Sequence, residues 1–230
     1  MPRDEASPPT VLFDLFGTLI PSGDRTERDA LSAEMAGVLG VDEEAFAAAF
    51  RGTFGQRTLG ELGDVRSTIG TLTTRITGVA PADDVLDRAT RLRLAFTERL
   101  IRASWALDAL ALLRDRGSRL GLVTDCSAEV PEVLPGTPLG DLFEAAAYSC
   151  ALGTHKPSPV MYLHVTDSLD VDPADCVYVG DGGSHELSGA RDVGMTAVLF
   201  ERPGTPPVPQ WDGLRVSSIA DVAQIVPARA

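Results

Sequence analysis

At 230 residues the chain is long enough to bury one substantial core, or one core with an inserted module. Its 44% hydrophobic content and mean hydropathy of +0.05 fit a soluble globular protein rather than a disordered or membrane-spanning one. The formal charge of −13 argues against nucleic acid and anionic membrane as partners, and an anionic substrate would need local positive features to hold it.

Met1–Thr10 is polar and proline-rich with no apolar centre, which reads as no secretory signal. Val11–Leu15 is then a short apolar run of strand type that ends beside a lone carboxylate, Asp14, with Gly17-Thr18 allowing a sharp turn after it. A long helical stretch follows. Thr26–Leu39 places Leu31, Met35, Val38 and Leu39 at helical spacing, and Phe46, Phe50 and Phe54 recur after an Asp42-Glu43-Glu44 start. Val65–Thr77 and Ala82–Ile101 complete roughly four helices, tethered to the rest by Thr18–Gly23 and Arg102–Trp105. A phenylalanine stripe at this spacing reads first as packing between helices and second as the lining of a pocket.

Beyond that module, strand-like and helix-like segments alternate. Leu120–Thr124, Ala145–Ser149, Cys176–Gly180, Thr196–Phe200 and, more weakly, Leu214–Ser217 read as buried strands bounded by Gly, Pro or Asp. Ala106–Arg116, Ser158–Leu169 and Glu186–Val193 read as helices, the first stopping at Gly117. The alternation predicts an α/β fold, a Rossmann-like parallel sheet with helices on both faces, carrying the all-helical insertion. Residues 1–20 and 104–230 form the expected sheet domain, and residues 21–103 the insertion. Pro203–Pro209 reads as a surface loop, because too little chain follows it for another domain.

Cys126, Cys150 and Cys176 show no metal-ligand spacing, and none has an arginine six residues on, so a cysteine-phosphatase loop is absent. Their number and spacing imply a reducing, cytoplasmic setting and no disulfide framework, with each read first as a small buried hydrophobe. Nineteen of the twenty basic residues are arginine, which makes the single lysine, Lys156, more noticeable.

Chemistry-bearing residues fall at the ends of the expected strands, where open α/β sheets gather their ligands. Asp14 ends the first, Thr124-Asp125 the second, and Gly180-Asp181 the fourth, with Glu186 opening the next helix. Lys156-Pro157 precedes another helix start, with Tyr162 on the following turn. Taken singly, each has an ordinary reading: a strand-end hydroxyl, a proline in a first helical turn, or an acid complementing a helix dipole.

Together and in this order, Val11–Ile20, Leu120–Ser127, His155–Pro159 and Val177–Glu186 resemble the four motifs of the haloacid dehalogenase-like hydrolases. That resemblance implies Asp14 as nucleophile, Thr124 holding the transferring phosphoryl group with Asp125 beside it, and Lys156 steadying both nucleophile and phosphate. It implies Mg²⁺ held by Asp14, the Phe16 backbone carbonyl and Asp181, with Glu186 assisting through water. The helical insertion then corresponds to the family's cap, in which residues such as Arg51, Gln56 or Arg57 would select a small-molecule substrate.

One position departs from the phosphatase pattern. Where those enzymes place a general-acid Asp two residues after the nucleophile, this chain has Phe16. Losing such an acid costs roughly 10²–10⁴ in rate if nothing replaces it. Asp125, His185 or a residue of the insertion could substitute, and an acyl phosphate, with its good leaving group, would suffer least. Three readings therefore stand: a Mg²⁺-dependent phosphohydrolase acting on a phosphate ester or acyl phosphate, a metal-free 2-haloacid dehalogenase, and a weakly active binding or regulatory protein. Asp181 and Glu186 favour the first. A phosphonatase-type reaction is excluded, because the insertion lacks the Schiff-base lysine it would need.

Overall fold

The computed structural model describes residues 10–202, 204, 208 and 211–226. The expectation for the N-terminal segment, and most of that for Pro203–Pro209, therefore falls outside the described residues. The strands are β1 (Thr10–Phe13), β2 (Arg119–Thr124), β3 (Ala145–Tyr148), β4 (Cys176–Gly180), β5 (Thr196–Phe200) and β6 (Leu214–Val216). They form one six-stranded sheet in the order β3-β2-β1-β4-β5-β6, and every pairing is parallel. β1 is central and wholly buried, as its unbroken apolar sequence requires of a strand covered on both faces.

Alternation along the strands divides the core in two. Val11 and Phe13 point into one apolar cluster with Leu120, Leu122, Val179 and Val198, whereas Leu12 points into the other with Tyr162, Tyr178 and Leu199. Successive neighbours of β1 lie on opposite sides of it, so the chain reverses direction across the sheet between β1 and β4. Open α/β sheets leave a crevice at the carboxyl ends of such a pair.

Between β1 and β2 run α1 (Arg25–Leu39), α2 (Glu43–Gly52), α3 (Phe54–Thr58), α4 (Val65–Thr77) and α5 (Asp83–Arg102). Their starts are written locally. Asp24 caps α1 reciprocally with Glu27, and Asp42 and Asp64 accept N-terminal amide hydrogens of α2 and α4. These helices have an apolar cluster of their own, with Leu31, Met35, Phe46, Phe50, Ile69 and Leu86. The two tethers to the sheet are bonded to each other: Trp105 Nε1 donates to the Thr18 carbonyl at 3.0 Å and Ser104 Oγ to the Leu19 carbonyl at 2.9 Å.

The phenylalanine stripe does not continue as its spacing predicted. Phe46 and Phe50 are buried on α2, but Phe54 is 62% exposed. The helix breaks at Thr53, so Phe54 opens a separate short helix and turns outward. The remaining helices are α6 (Leu107–Asp115), α7 (Glu129–Val133), α8 (Ser149–Leu152), α9 (Pro159–Leu169), α10 (Glu186–Asp192) and α11 (Val222–Ile225). Among the described residues no helix is long and apolar enough to cross a membrane.

Candidate active site

Asp14 follows the last residue of β1, and its amide donates to the Val179 carbonyl of β4 at 2.9 Å, fixing it at the crevice. Its side chain is buried and held on both oxygens. Lys156 Nζ donates to Oδ1 at 2.6 Å and Thr18 Oγ1 to Oδ2 at 2.9 Å. Lys156 Nζ also donates to Glu186 Oε2 at 2.6 Å, so one ammonium spans two carboxylates. Burial works against that charge, but Asp14 and Glu186 outweigh it and hold Lys156 well above the usual lysine range.

Glu186 lies at the start of α10 and is fixed by further donors. Tyr178 OH reaches Oε2 at 2.7 Å and the Gly182 amide reaches Oε1 at 2.9 Å. Tyr162 OH donates to the Glu186 backbone carbonyl at 2.8 Å, which ties α9 to α10. Burial, opposed by Lys156 and reinforced by Asp14, pushes the Glu186 carboxyl up to about 7. Asp181 stands just beyond β4 and is also raised, first by burial and then by the charge of Asp14.

Oxygens of Asp14, Asp181 and Glu186 all lie within 4.8 Å of one another. Two glycines make this approach possible. A Cβ on Gly17, whose φ is +87°, would sit 2.1 Å from Asp181 Oδ2, and one on Gly180 would sit 2.2 Å from Glu186 Oε1. The set is hard, all-oxygen and acidic, with one ammonium among three carboxylates, which fits a Mg²⁺-like cation.

Thr124 ends β2 with its hydroxyl fully buried and without a hydrogen-bond partner among the described residues. Such a group is costly to leave unmatched, so a ligand oxygen placed there would relieve it. Asp125 Oδ1 accepts the Lys156 amide hydrogen at 3.0 Å and so orients the segment that carries the lysine. Phe16 is half-buried, and its backbone pairs with Ile20 in the turn after β1. A cleft of about 540 Å³ opens beside Gly17 and Asp181, walled by Trp105, Phe200 and the tether residues Pro21 and Ser22.

The helical insertion meets the sheet at the loop after β2. Arg51 is exposed and paired with Asp29, and Gln56 is half-buried; Arg57 is the one of the three that is buried at this junction. Its guanidinium packs 4.1 Å from the centre of the Phe50 ring and donates to Ser127 Oγ at 3.0 Å and to the Phe50 carbonyl at 3.2 Å. Glu129 lies 4.0 Å from Arg57 and is hydrogen-bonded to Arg93 of α5. Burial brings Arg57 down to about 10, against the pull of Glu129, and its Nε is left without a partner among the described residues.

Sequence reasoning missed part of this. Thr18 was legible only as the residue allowing a turn, yet it holds the Asp14 carboxylate. Tyr178 read as an ordinary strand residue, and a lone tyrosine in an apolar run gives no sign that its hydroxyl meets a buried acid. Glu129, Arg93 and Ser127 come together from distant stretches and left no local signal.

A parallel sheet with a buried carboxylate just past its central strand, a lysine bonded to it and two acids facing it defines an α/β protein with an acidic, lysine-matched site at its strand tips. The family model described as haloacid dehalogenase-like hydrolase matches residues 8–194, and the chain belongs to that family. Over 97 residues it is 31% identical to the glyceraldehyde 3-phosphate phosphatase of Methanopyrus kandleri, a match covering 42% of this chain and 42% of that protein. Over 115 residues it is 31% identical to the phosphoserine phosphatase of Thermus thermophilus, covering 49% and 46%. These alignments span less than half of the relatives' own lengths.

Solved structures resemble the whole fold. A 2-haloacid dehalogenase from Pseudomonas syringae pv. Tomato has a TM-score of 0.68 at 22% identity, covering 95% of this chain and 97% of that one. A phosphatase of the family from Thermococcus onnurineus has a TM-score of 0.63 at 23% identity, covering 94% and 96%. At these identities the likeness is one of fold, and both chemistries are represented.

Proposed function

We propose that the protein is a Mg²⁺-dependent phosphohydrolase of small phosphorylated metabolites, in which residues 21–103 act as a cap on a sheet domain formed by 1–20 and 104–230. The observation that carries this reading is the excess of negative charge at the crevice. Three carboxylates share one ammonium, and Asp181 and Glu186 are both pushed upward. A site built only to hold a halide leaving group has no use for that excess, whereas a divalent cation would neutralise it.

Asp14, Asp181 and the Phe16 carbonyl would hold Mg²⁺, with Glu186 assisting. When bound, the cation would offset the charge gathering on the phosphoryl oxygens. The protein's own groups do the rest. A lone pair of the Asp14 carboxylate attacks phosphorus while Lys156 and Thr18 keep the carboxylate oriented. The bond from phosphorus to the leaving oxygen breaks, giving an aspartyl-phosphate. The unpartnered Thr124 hydroxyl donates to a phosphoryl oxygen, and Lys156, bonded to Asp14 and Glu186 and 3.5 Å from Tyr178 OH, offsets phosphoryl charge from beside the nucleophile. Water then attacks the aspartyl-phosphate, releasing inorganic phosphate and restoring Asp14.

Phe16 supplies no proton to the leaving group, so the chemistry favours a substrate whose leaving oxygen is a weak base, such as an acyl phosphate. A positive excess of two arginines around one glutamate at the insertion favours a substrate with a second acidic group, met by Arg57. The test is phosphate release from a panel of phosphate esters and acyl phosphates, with Mg²⁺ or EDTA, for wild type and Asp14→Asn. Mg²⁺-dependent release that disappears in the variant is the expected result. Silence across the panel together with halide release from 2-haloacids would replace this reading by the dehalogenase one, which Phe16 favours.

A further inference from the structure

Cys126 and Cys150 were separate small hydrophobes in the sequence, yet the fold brings them together beside the site. β2 and β3 run parallel with Thr124 opposite Tyr148, so each cysteine lies two residues beyond a paired position. Ser149 Oγ clasps the Cys126 backbone, accepting its amide hydrogen at 2.9 Å and lying 3.1 Å from its carbonyl. Cys126 follows the end of β2 and Cys150 lies in α8, which opens directly after β3, so the two residues leave neighbouring strands. Both side chains pack in one apolar cluster, Cys126 within it and Cys150 against it.

We propose that Cys126 and Cys150 are a reversible disulfide site, oxidised by hydroperoxides, that reports on the phosphate-holding loop. The two thiols differ in the way such a pair requires. Cys150 is half-exposed, whereas Cys126 is buried. The neighbouring Cys126 lowers the Cys150 thiol, while burial raises Cys126. Cys150 as thiolate attacks a peroxide oxygen, breaking the O–O bond and giving a sulfenic acid with loss of hydroxide or alkoxide. Cys126 then attacks that sulfur, and the departing hydroxyl takes up the thiol proton as water. Two thiols are oxidised and one peroxide is reduced.

Closing the bond brings the two sulfurs to about 2.05 Å. The residues beside Cys126 cannot absorb that movement freely. Asp125 holds the Lys156 amide, Ser127 holds Arg57, and Thr124 precedes them. On the other side, Ser149 Oγ donates to the Thr58 carbonyl at 2.7 Å, and a Cβ on Gly60 would sit 2.0 Å from the Cys150 carbonyl. The pair is thus wedged between the loop after β2 and the helical insertion, and its oxidation displaces the one against the other.

The effect on turnover rests on the phosphohydrolase reading, but the disulfide does not. The full chain, reduced and freed of thiol, is treated with stoichiometric hydrogen peroxide and digested without reduction. A Cys126–Cys150 linked peptide is expected by mass spectrometry, formed equally in Cys176→Ser, absent in Cys126→Ser, and reversed by dithiothreitol. Phosphate release is expected to fall at least about fivefold on oxidation and to recover on reduction. Activity that stays constant in a fully linked protein would overturn the coupling to the loop. Intact thiols at both positions, or linkage only between chains or through Cys176, would overturn the site itself. A linked peptide in a protein inactive on every phosphate tested supports the pair while counting against the phosphatase reading.

Discussion

Two buried ion clusters, built from opposite charge balances, lie on either side of the loop after β2. At the crevice Lys156 serves Asp14 and Glu186 with Asp181 nearby, so acids outnumber the base. At the junction with the helical insertion, Arg57 and Arg93 surround Glu129, so bases outnumber the acid. Burial is the largest cause of the pKa shifts at the crevice, and the charge balance adds to it through Asp14. Asp181 and Glu186 rise, whereas Glu129, despite a burial that works against its charge, is held low by Arg93, Ser127 and Arg57. A buried charge is expensive unless matched, so each imbalance marks where a ligand of opposite sign would be welcome. The crevice is short of a cation and the junction is short of an anion.

The sharpest way to break this contrast is at Asp14. Asp14→Asn should lower phosphate release by more than about 10³-fold, because a nucleophile acts as part of a unit and its loss is not recovered elsewhere. Steady-state assays with and without Mg²⁺ would check it, and retained activity would remove the aspartyl-phosphate from the mechanism.

Removing the sole base of the acidic cluster comes next. Lys156→Met leaves buried carboxylates unmatched and should cost roughly 3–5 kcal/mol of stability in EDTA, read by urea unfolding. Millimolar Mg²⁺ should restore part of that loss. In the opposite cluster, Glu129→Gln keeps the shape but removes the charge shared by Arg57 and Arg93, at a cost of about 1–3 kcal/mol. Mg²⁺ should restore none of it. Equal responses of the two variants to the cation would erase the distinction drawn between the clusters.

Arg57→Met is expected to act more gently. It should raise KM about tenfold for substrates with a second acidic group and leave singly charged ones nearly unchanged, with kcat moving little. A uniform fall in kcat would instead assign Arg57 to packing the insertion against the sheet.

The gentlest effect is on pH. Glu186 rises from 4.5 in the unfolded chain to about 7 when folded, so the folded protein binds the extra proton within that window. Its contribution to stability is present below about pH 4.5 and is lost as pH climbs towards 7. In EDTA, Tm should therefore decline across this range more steeply in wild type than in Glu186→Gln, by a few degrees (about 2–4 °C per kcal/mol). Saturating Mg²⁺, which needs the deprotonated acid, should flatten or reverse the trend.

The strands, the helix starts and the residues at strand ends were legible because they are local facts. Asp24, Asp42 and Asp64 cap helices through neighbours three residues away, and Val11–Phe13 is apolar because a central parallel strand is covered on both faces. Asp14, Thr124, Lys156 and Asp181 stood out for the same reason: each ends or opens an element whose pattern is readable. Thr53 shows where such reading stops. The spacing of Phe46, Phe50 and Phe54 was helical throughout, but the helix broke between the second and third, and only packing decided which ring went inside.

What the sequence determined by itself was the sheet, the insertion of helices after its first strand and the chemistry available at the strand tips. What only the tertiary structure decided was which charges share a burial and in what proportion. Lys156 lies 142 residues from Asp14 and 30 from Glu186, and Arg57 lies 70 from Ser127. Periodicity carries no information across such separations. The crossing from β1 to β4, the close approach allowed by Gly17 and Gly180, and the docking of the insertion on the loop after β2 brought these groups within bonding distance. The balance of charge in each cluster, and with it the ligand each is fitted to hold, exists only once they are there.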